Sequence, residues 1–412
     1  MPTRHLTVVG GGFAGLTAAL ASAEAGAAVT LYEAHRDLGG RARTAEGPYR
    51  TNEGPHALYK GGPHWTWLKR RGLLPPMAPV PPLEGTRLRF HRDGALRRTP
   101  PPGLLRLLAR REAPSDVPFM EWASAVAGER NARAAAHYAA VAVFHHDPGA
   151  LSAAFTHERL RRAMKLPPEA HYPRGGWATL VAGMAARARA MGVRVETGAR
   201  VSSPSELTGL TGDGPVIVAT ALESARQLLG DSALDWPGGR TALLDLVLEK
   251  RRGDAFAVSD LDAPGWIERF TAADPSLAPP CQSLLQAQFP LAPGEPRAVG
   301  LARGERLLDL GFPGWRERTV CSTESVAEHR TGAVDPPGTT WRDRPAVHRG
   351  EGVYLAGDQV AAPGVLSEVS FNSALEASWL ALGGAEGAGG SGSTGGSGAS
   401  RVRSGPGVSR RS

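Results

Sequence analysis

Between residues 5 and 34 the chain runs apolar, glycine-rich, helical and apolar again, and closes on an acid. Leu6 to Gly10 reads as a short strand, Gly10-Gly11-Gly12-Phe13-Ala14-Gly15 spells GxGxxG, Leu16 to Glu24 has helical spacing and stops at Gly26, and Val29 to Tyr32 is a second strand ending at Glu33. The first glycine permits a tight turn, the second lets the backbone approach a pyrophosphate, and the third lets helix and strand pack closely. Phosphates then sit on the helix N-terminus, where free N–H groups and the dipole favour negative charge. Glu33, one helix and one strand past Gly15, is placed to accept hydrogen bonds from an adenosine ribose and to repel a 2′-phosphate. This order predicts dinucleotide binding on a parallel α/β unit.

The segment after Glu33 narrows the dinucleotide. Ala34 leads to Asp37-Leu38-Gly39-Gly40-Arg41-Ala42, with two glycines and an arginine just past the ribose-binding acid. Far downstream, Gly352-Val353-Tyr354-Leu355-Ala356-Gly357-Asp358 reads as a strand with a Gly-Asp pair, and Pro363-Gly364-Val365-Leu366-Ser367-Glu368 opens a helix. Between them, Tyr172-Pro173-Arg174-Gly175-Gly176-Trp177 precedes a helix and then Val193 to Val201. Together these segments resemble the FAD fingerprint of the amine oxidase and phytoene desaturase superfamily of flavoproteins. The resemblance is specific from Met1 to Lys60 and from Gly352 to Ala377, fair around Tyr172 to Val201, and poor in Pro63 to Pro168 and Arg240 to Asp335.

The resemblance implies FAD as cofactor, with Gly10, Gly12, Phe13, Ala14 and Gly15 in the first turn and Glu33 and Ala34 at the ribose. It implies Gly39, Gly40, Arg41 and Ala42 at the pyrophosphate, Val201 at the adenine, Gly357 and Asp358 at the ribityl chain, and Val365 and Leu366 at the pyrimidine ring. A guanidinium fork suits phosphate oxygens, and a positive helix end suits a reduced, anionic flavin. The implied fold is α/β: a glutathione-reductase-type Rossmann FAD-binding domain with an inserted α+β substrate domain.

A chain of 412 residues is expected to divide into two or three lobes. We place the FAD-binding domain at 1–62, 171–239 and 341–382, and the substrate domain at 63–170, mainly helical, and 240–340, the sheet part. Thr86 to His91 and Ala95 to Thr99 flank Asp93-Gly94 and predict a β-hairpin. Val117 to Gly128 and Asn131 to Phe144 are alanine-rich with helical spacing, and no strand alternation is evident from there until after Met191. From Gly383 to Ser412, glycine, serine and four arginines against the lone Glu386 predict a disordered tail.

Composition removes several function classes. The net charge of +7 invites a nucleic-acid reading, but 43 of the 47 basic residues are arginine and they are scattered, so no nucleic acid is expected. Cys281 and Cys321 stand in no ligand spacing, which argues against a disulfide framework or zinc and suits the cytoplasm. No metal is expected: Phe144-His145-His146-Asp147 reads as a capped helix end, because adjacent helical histidines diverge. No run of about 18 apolar residues is available to span a bilayer. Gly103 to Arg111 alternates leucines with arginines and reads as a surface helix, peripheral contact with an anionic membrane being the alternative.

The chemistry implied is hydride transfer to flavin N5 from a small hydrophobic substrate, isoprenoid-like or another secondary metabolite. No second GxGxxG occupies a strand–helix context, so oxygen or a quinone is the expected acceptor. Relatives that oxidise amines carry a lysine that holds a water at N5, and no lysine follows Lys250 here, which ranks amine oxidation second. A redox-neutral FAD-dependent isomerase or dehydroxylase ranks third, and a lipid-binding chaperone of the same fold is the non-enzyme alternative, against which Gly357-Asp358 speaks. The resemblance carries Asn52 to Tyr59 beside the isoalloxazine, which makes His56 the candidate general acid or base, or else a histidine bonded to a loop carbonyl. Trp65, Trp67, Trp177 and Trp341 are candidates for cavity lining or for core packing, and the oligomeric state is left open.

Overall fold

In the computed structural model the described residues are 4–54 and 56–384, so the tail expected from Gly383 lies outside them from residue 385 onward. Five short strands make a wholly parallel sheet in the order Val353–Leu355, Val216–Val218, His5–Val9, Ala28–Glu33, Arg194–Thr197. The central strand pairs residue by residue with its neighbour, from His5 opposite Ala28 to Val9 opposite Tyr32. Both faces of such a sheet are covered, so its strands read as apolar runs. Helix Phe13–Glu24 is buried along most of its length for the same reason, packed between the sheet and helices Trp177–Ala190 and Ser367–Ala381. Small side chains permit that approach: Ser22 Oγ lies 2.6 Å from Ser378 Oγ across the helix pair.

The second lobe is built on a seven-stranded sheet in the order Thr319–Ala333, Gly238–Glu249, Gln282–Pro290, Gly265–Arg269, Ala257–Asp260, Leu88–Arg92, Ala95–Arg97. The hairpin expected at Asp93-Gly94 is present, with both turn residues at positive φ, and it forms the edge of this sheet. Along Gly238–Glu249 the alternation decides what each face meets. Ala242, Leu244, Leu246 and Leu248 pack on Leu307 and Leu308 of helix Arg297–Gly311 and on Phe312 just past its end, whereas Thr241 and Leu243 turn toward the lobe of the parallel sheet. Helices Phe119–Ala127, Glu129–Val143 and Ala153–Ala163 pack on this lobe, the first two separated by Gly128 at φ 82°.

One expectation fails. Residues 145–191 are not free of strands: Ala170–Pro173 forms the middle of a three-stranded antiparallel sheet with Leu58–Tyr59 and Met77–Pro79. So short a strand, containing His171, Tyr172 and Pro173, shows no alternation, and only its two partners, distant in the chain, make it a strand. Among the described residues no helix is long and apolar enough to cross a membrane.

Candidate dinucleotide and substrate cavity

The glycine turn and the Gly39–Ala42 turn are joined directly. The Gly39 N–H donates to Gly11 O at 2.8 Å, and Gly12 bridges Gly39 in a parallel β-bridge. Glu33 clamps both ends of its own turn: one carboxylate oxygen accepts from the Gly11 N–H at 2.7 Å and the other from the His35 N–H at 2.8 Å. A carboxylate has about four acceptor sites, so lone pairs remain for hydroxyls.

The glycines then separate by function. A Cβ on Gly15 would lie 1.8 Å from Gly10 O, so this residue serves helix–strand packing and does not line the cavity. A Cβ on Gly11, at a variable position of the motif, would lie 2.4 Å from Leu38 Cδ2, a demand the motif did not reveal. A Cβ on Gly12 meets nothing closer than Gly39 O at 3.8 Å, so a side chain there would fill only the space between the two turns.

That space belongs to a cavity of about 670 Å³, a size typical of cofactor and ligand sites. Its walls include Gly10, Gly12, Phe13, Ala14, Glu33, Ala34, Gly39, Gly40, Arg41, Ala42, Val201, Gly357, Asp358 and Leu366, all expected cofactor contacts. Val365 is displaced from this set: it is fully buried in the core, and its N–H is bonded to Glu368. Leu366 stands at the start of helix Ser367–Ala381 with φ 56° and ψ −123°, a strained conformation for a branched side chain and of the kind found at binding sites.

Electrostatics matches an anionic occupant. Helix Phe13–Glu24 begins at Gly12 with no side-chain cap and no acid in its first turn, leaving its N–H groups toward the cavity. Arg41 Nη1 bonds Asp358 Oδ2 at 2.6 Å across the cavity. Burial works to raise the Asp358 carboxyl, but Arg41 outweighs it and holds the group below the usual carboxylate range. The cradle at Gly12, the uncapped helix and the arginine fit the pyrophosphate of FAD, and Asp358 offers an acceptor for the hydroxyls beyond it.

His56 lies in the wall of the same cavity, stacked on Phe270 at 4.5 Å and tilted against Trp177 at 5.7 Å. Asn52 sets its tautomer. Asn52 Oδ1 accepts from Thr44 Oγ1 and the Trp177 N–H, so its amide nitrogen, 3.3 Å from His56 Nε2, is the donor and the ring proton sits on Nδ1. Burial lowers the His56 pKa to about 4, so the ring is neutral throughout the physiological range and carries no proton to release as imidazolium. Of the tryptophans only Trp177 lines the cavity; Trp67 packs on Phe371, Trp65 on His171 and Trp341 under Arg342. The His145–Asp147 segment is a turn, with Asp147 Oδ1 accepting from the Gly149 and Ala150 N–H groups after a helix that ends at Phe144 in the left-handed region. Leu104–Leu108 is a short surface helix with Leu104 and Leu107 buried and Leu105 65% exposed.

Behind His56, Glu268 is buried and accepts from Tyr172 Oη at 2.5 Å and Trp266 Nε1 at 3.1 Å. Burial pushes its carboxyl up to about 7 despite those donors. Its folded pKa therefore exceeds its ordinary value of 4.5, and between these values the folded protein binds more protons than the unfolded chain. Stability contributed by this group falls as pH rises through that window, by about 3 kcal/mol in all. Glu268→Gln, which keeps the neutral form, should raise the Tm by a few degrees at pH 8 and have no effect at pH 4.5, as measured by thermal unfolding.

The comparisons agree with this geometry. Residues 8–71 match the family model of the NAD(P)-binding Rossmann-like domain. No curated protein matches the chain by sequence. Among solved structures, an oxidoreductase from Methanosarcina mazei superposes with a TM-score of 0.73 at 16% identity, over 90% of this chain and 99% of that one. Cyclohexylamine oxidase from Brevibacterium oxydans matches with a TM-score of 0.65 at 16% identity, covering 92% and 98%. Reduced UDP-galactopyranose mutase matches with a TM-score of 0.64 at 14% identity, covering 92% and 96%. Fold and cavity define a two-lobed α/β protein with a Rossmann-type dinucleotide-binding lobe. The fold is shared with these solved structures, which include an oxidoreductase, an amine oxidase and a mutase.

Proposed function

We propose that the protein is an FAD-dependent oxidoreductase that takes hydride from a C–H or C–N bond of a substrate with an apolar body. The observation that carries this reading is the continuity of one cavity, from the glycine turns past Arg41 and Asp358 to a chamber walled by Ala142, Val143, Phe144 and Leu243 of the second lobe. FAD, when bound, supplies an acceptor for the hydride at flavin N5. The chain supplies position and electrostatics. Gly12 and Gly40 leave room for phosphates, Arg41 neutralises them, and the helix beginning at Ser367 directs its N-terminal end toward the cavity. The apolar chamber excludes water and orients the substrate by shape.

An absorption spectrum of the purified protein, taken before and after acid precipitation, tests the reading. Flavin bands that pass into the supernatant are the expected result. A colourless protein that FAD does not reconstitute would overturn it in favour of a binding protein of the same fold.

A further inference from the structure

Two arginines on the cavity wall are unused by the oxidoreductase reading. Arg159, on helix Ala153–Ala163, is 4% exposed, with its guanidinium 3.5 Å over the Phe155 ring. Its Nη1 bonds Phe155 O at 3.1 Å and Glu158 Oε2 at 3.2 Å, and Nη2 lies 3.5 Å from Gly364 O. Glu158 is 55% exposed, so water screens its charge and Arg159 is poorly neutralised. Arg344, also 4% exposed, turns Nε and Nη2 to Asp335 in a bidentate pair with both bonds at 2.8 Å. Its remaining nitrogen, Nη1, is buried with no hydrogen-bond partner among the described residues. Both arginines share this wall with Leu366, Ser367, Val143 and Phe144.

A buried donor without an acceptor and a buried cation without a full counter-charge are each costly, and natural sites keep them where a ligand completes them. Resting on the oxidoreductase reading, we propose that Arg159 and Arg344 form an anion seat where the helix start at Leu366 and Ser367 meets Val143 and Phe144 of the second lobe, and that the substrate is an organic acid whose carboxylate occupies it. The charge balance selects a monoanion. Asp335 already neutralises Arg344, which leaves Arg159 as the uncompensated charge, and a planar carboxylate matches a guanidinium edge. The apolar walls beyond the seat take the rest of the molecule. Burial and the nearby Arg344 lower the Arg159 pKa to about 10, partly opposed by Glu158, Asp335 and Tyr59.

The test is a titration of the purified protein with benzoate, phenylacetate and cyclohexanecarboxylate, each beside its neutral amide, read by flavin absorption and by intrinsic tryptophan fluorescence, to which Trp177 of the cavity lining contributes. The acids should give saturable changes and the amides none. Arg159→Lys should weaken acid binding about tenfold and Arg159→Gln at least a hundredfold, while Arg106→Gln on the surface helix changes nothing. Amides that bind as well as acids, or an Arg159→Gln variant that binds the acids normally, would overturn the seat. So would a variant whose flavin potential falls while no acid binds to the parent, for then the guanidinium serves the reduced flavin. A preparation without flavin speaks against the oxidoreductase reading; a yellow preparation indifferent to the acids speaks against the seat alone.

Discussion

Gly12→Val is expected to leave the apoprotein folded and to abolish FAD binding, whereas Gly15→Ala is expected to damage the fold itself. The two glycines belong to one motif, and only their surroundings separate them. At Gly12 a Cβ meets no protein atom closer than 3.8 Å, so a larger side chain occupies the space between the glycine turns at little cost to folding. It removes access to the helix N-terminus, and losing two charge-assisted hydrogen bonds to phosphate weakens binding by roughly 100-fold or more. At Gly15 the added Cβ would lie 1.8 Å from Gly10 O, a backbone atom that cannot swing aside. Overpacking of that kind costs about 3 kcal/mol. Denaturant unfolding of the apoproteins, set beside FAD affinity by fluorescence quenching, separates the two. Equal loss of stability in both variants would refute the distinction.

Asp335→Ala is expected to lose about 3–5 kcal/mol of stability, the largest loss from any single ion pair among the described residues. Its carboxylate holds two nitrogens of Arg344 at 2.8 Å, and the side chains are 6% and 2% exposed. Truncating the acid leaves a buried guanidinium without its charge partner. Removing both ions avoids that penalty, so Asp335→Leu combined with Arg344→Met should recover most of the loss. A double-mutant cycle by denaturant unfolding measures this, and a double variant as unstable as Asp335→Ala would show that the pair contributes through shape alone. The same cycle bears on the anion seat, since the double variant keeps Arg159 but lacks the second donor.

The readable part of this protein is the part whose physics is local. A tight turn needs glycine wherever it occurs, so Gly10–Gly15 and Asp93-Gly94 announced a strand–turn–helix and a hairpin from neighbours in the chain. Glu33 could be located by counting along from the motif, and it reaches Gly11 as that spacing requires. The strand Ala170–Pro173 could not be read in the same way, because its partners, Leu58–Tyr59 and Met77–Pro79, lie on the far side of the helical insertion. The resemblance implied both Val365 and Leu366 at the cofactor, and of the two only Leu366 lines the cavity while Val365 is buried in the core. One residue along a turn reverses the direction of a side chain, and a motif does not specify which way it points.

Charge state and role at the cavity depend on segments far apart in the chain. His56 has an ordinary histidine pKa in the sequence and one of about 4 in the fold, because Phe270, Trp177 and Asn52 exclude water from it and fix its tautomer. Arg159 and Arg344 are two among 43 arginines, and nothing in their flanking residues marks them. They become distinctive when helix Ala153–Ala163 and the loop that carries Arg344 are buried against one cavity. The linear order of residues suffices for the dinucleotide-binding unit, whose glycines and terminal acid act through backbone geometry between His5 and Glu33. The residues that face the substrate are settled only in the folded chain, because burial and charge pairing join segments that folding alone brings together.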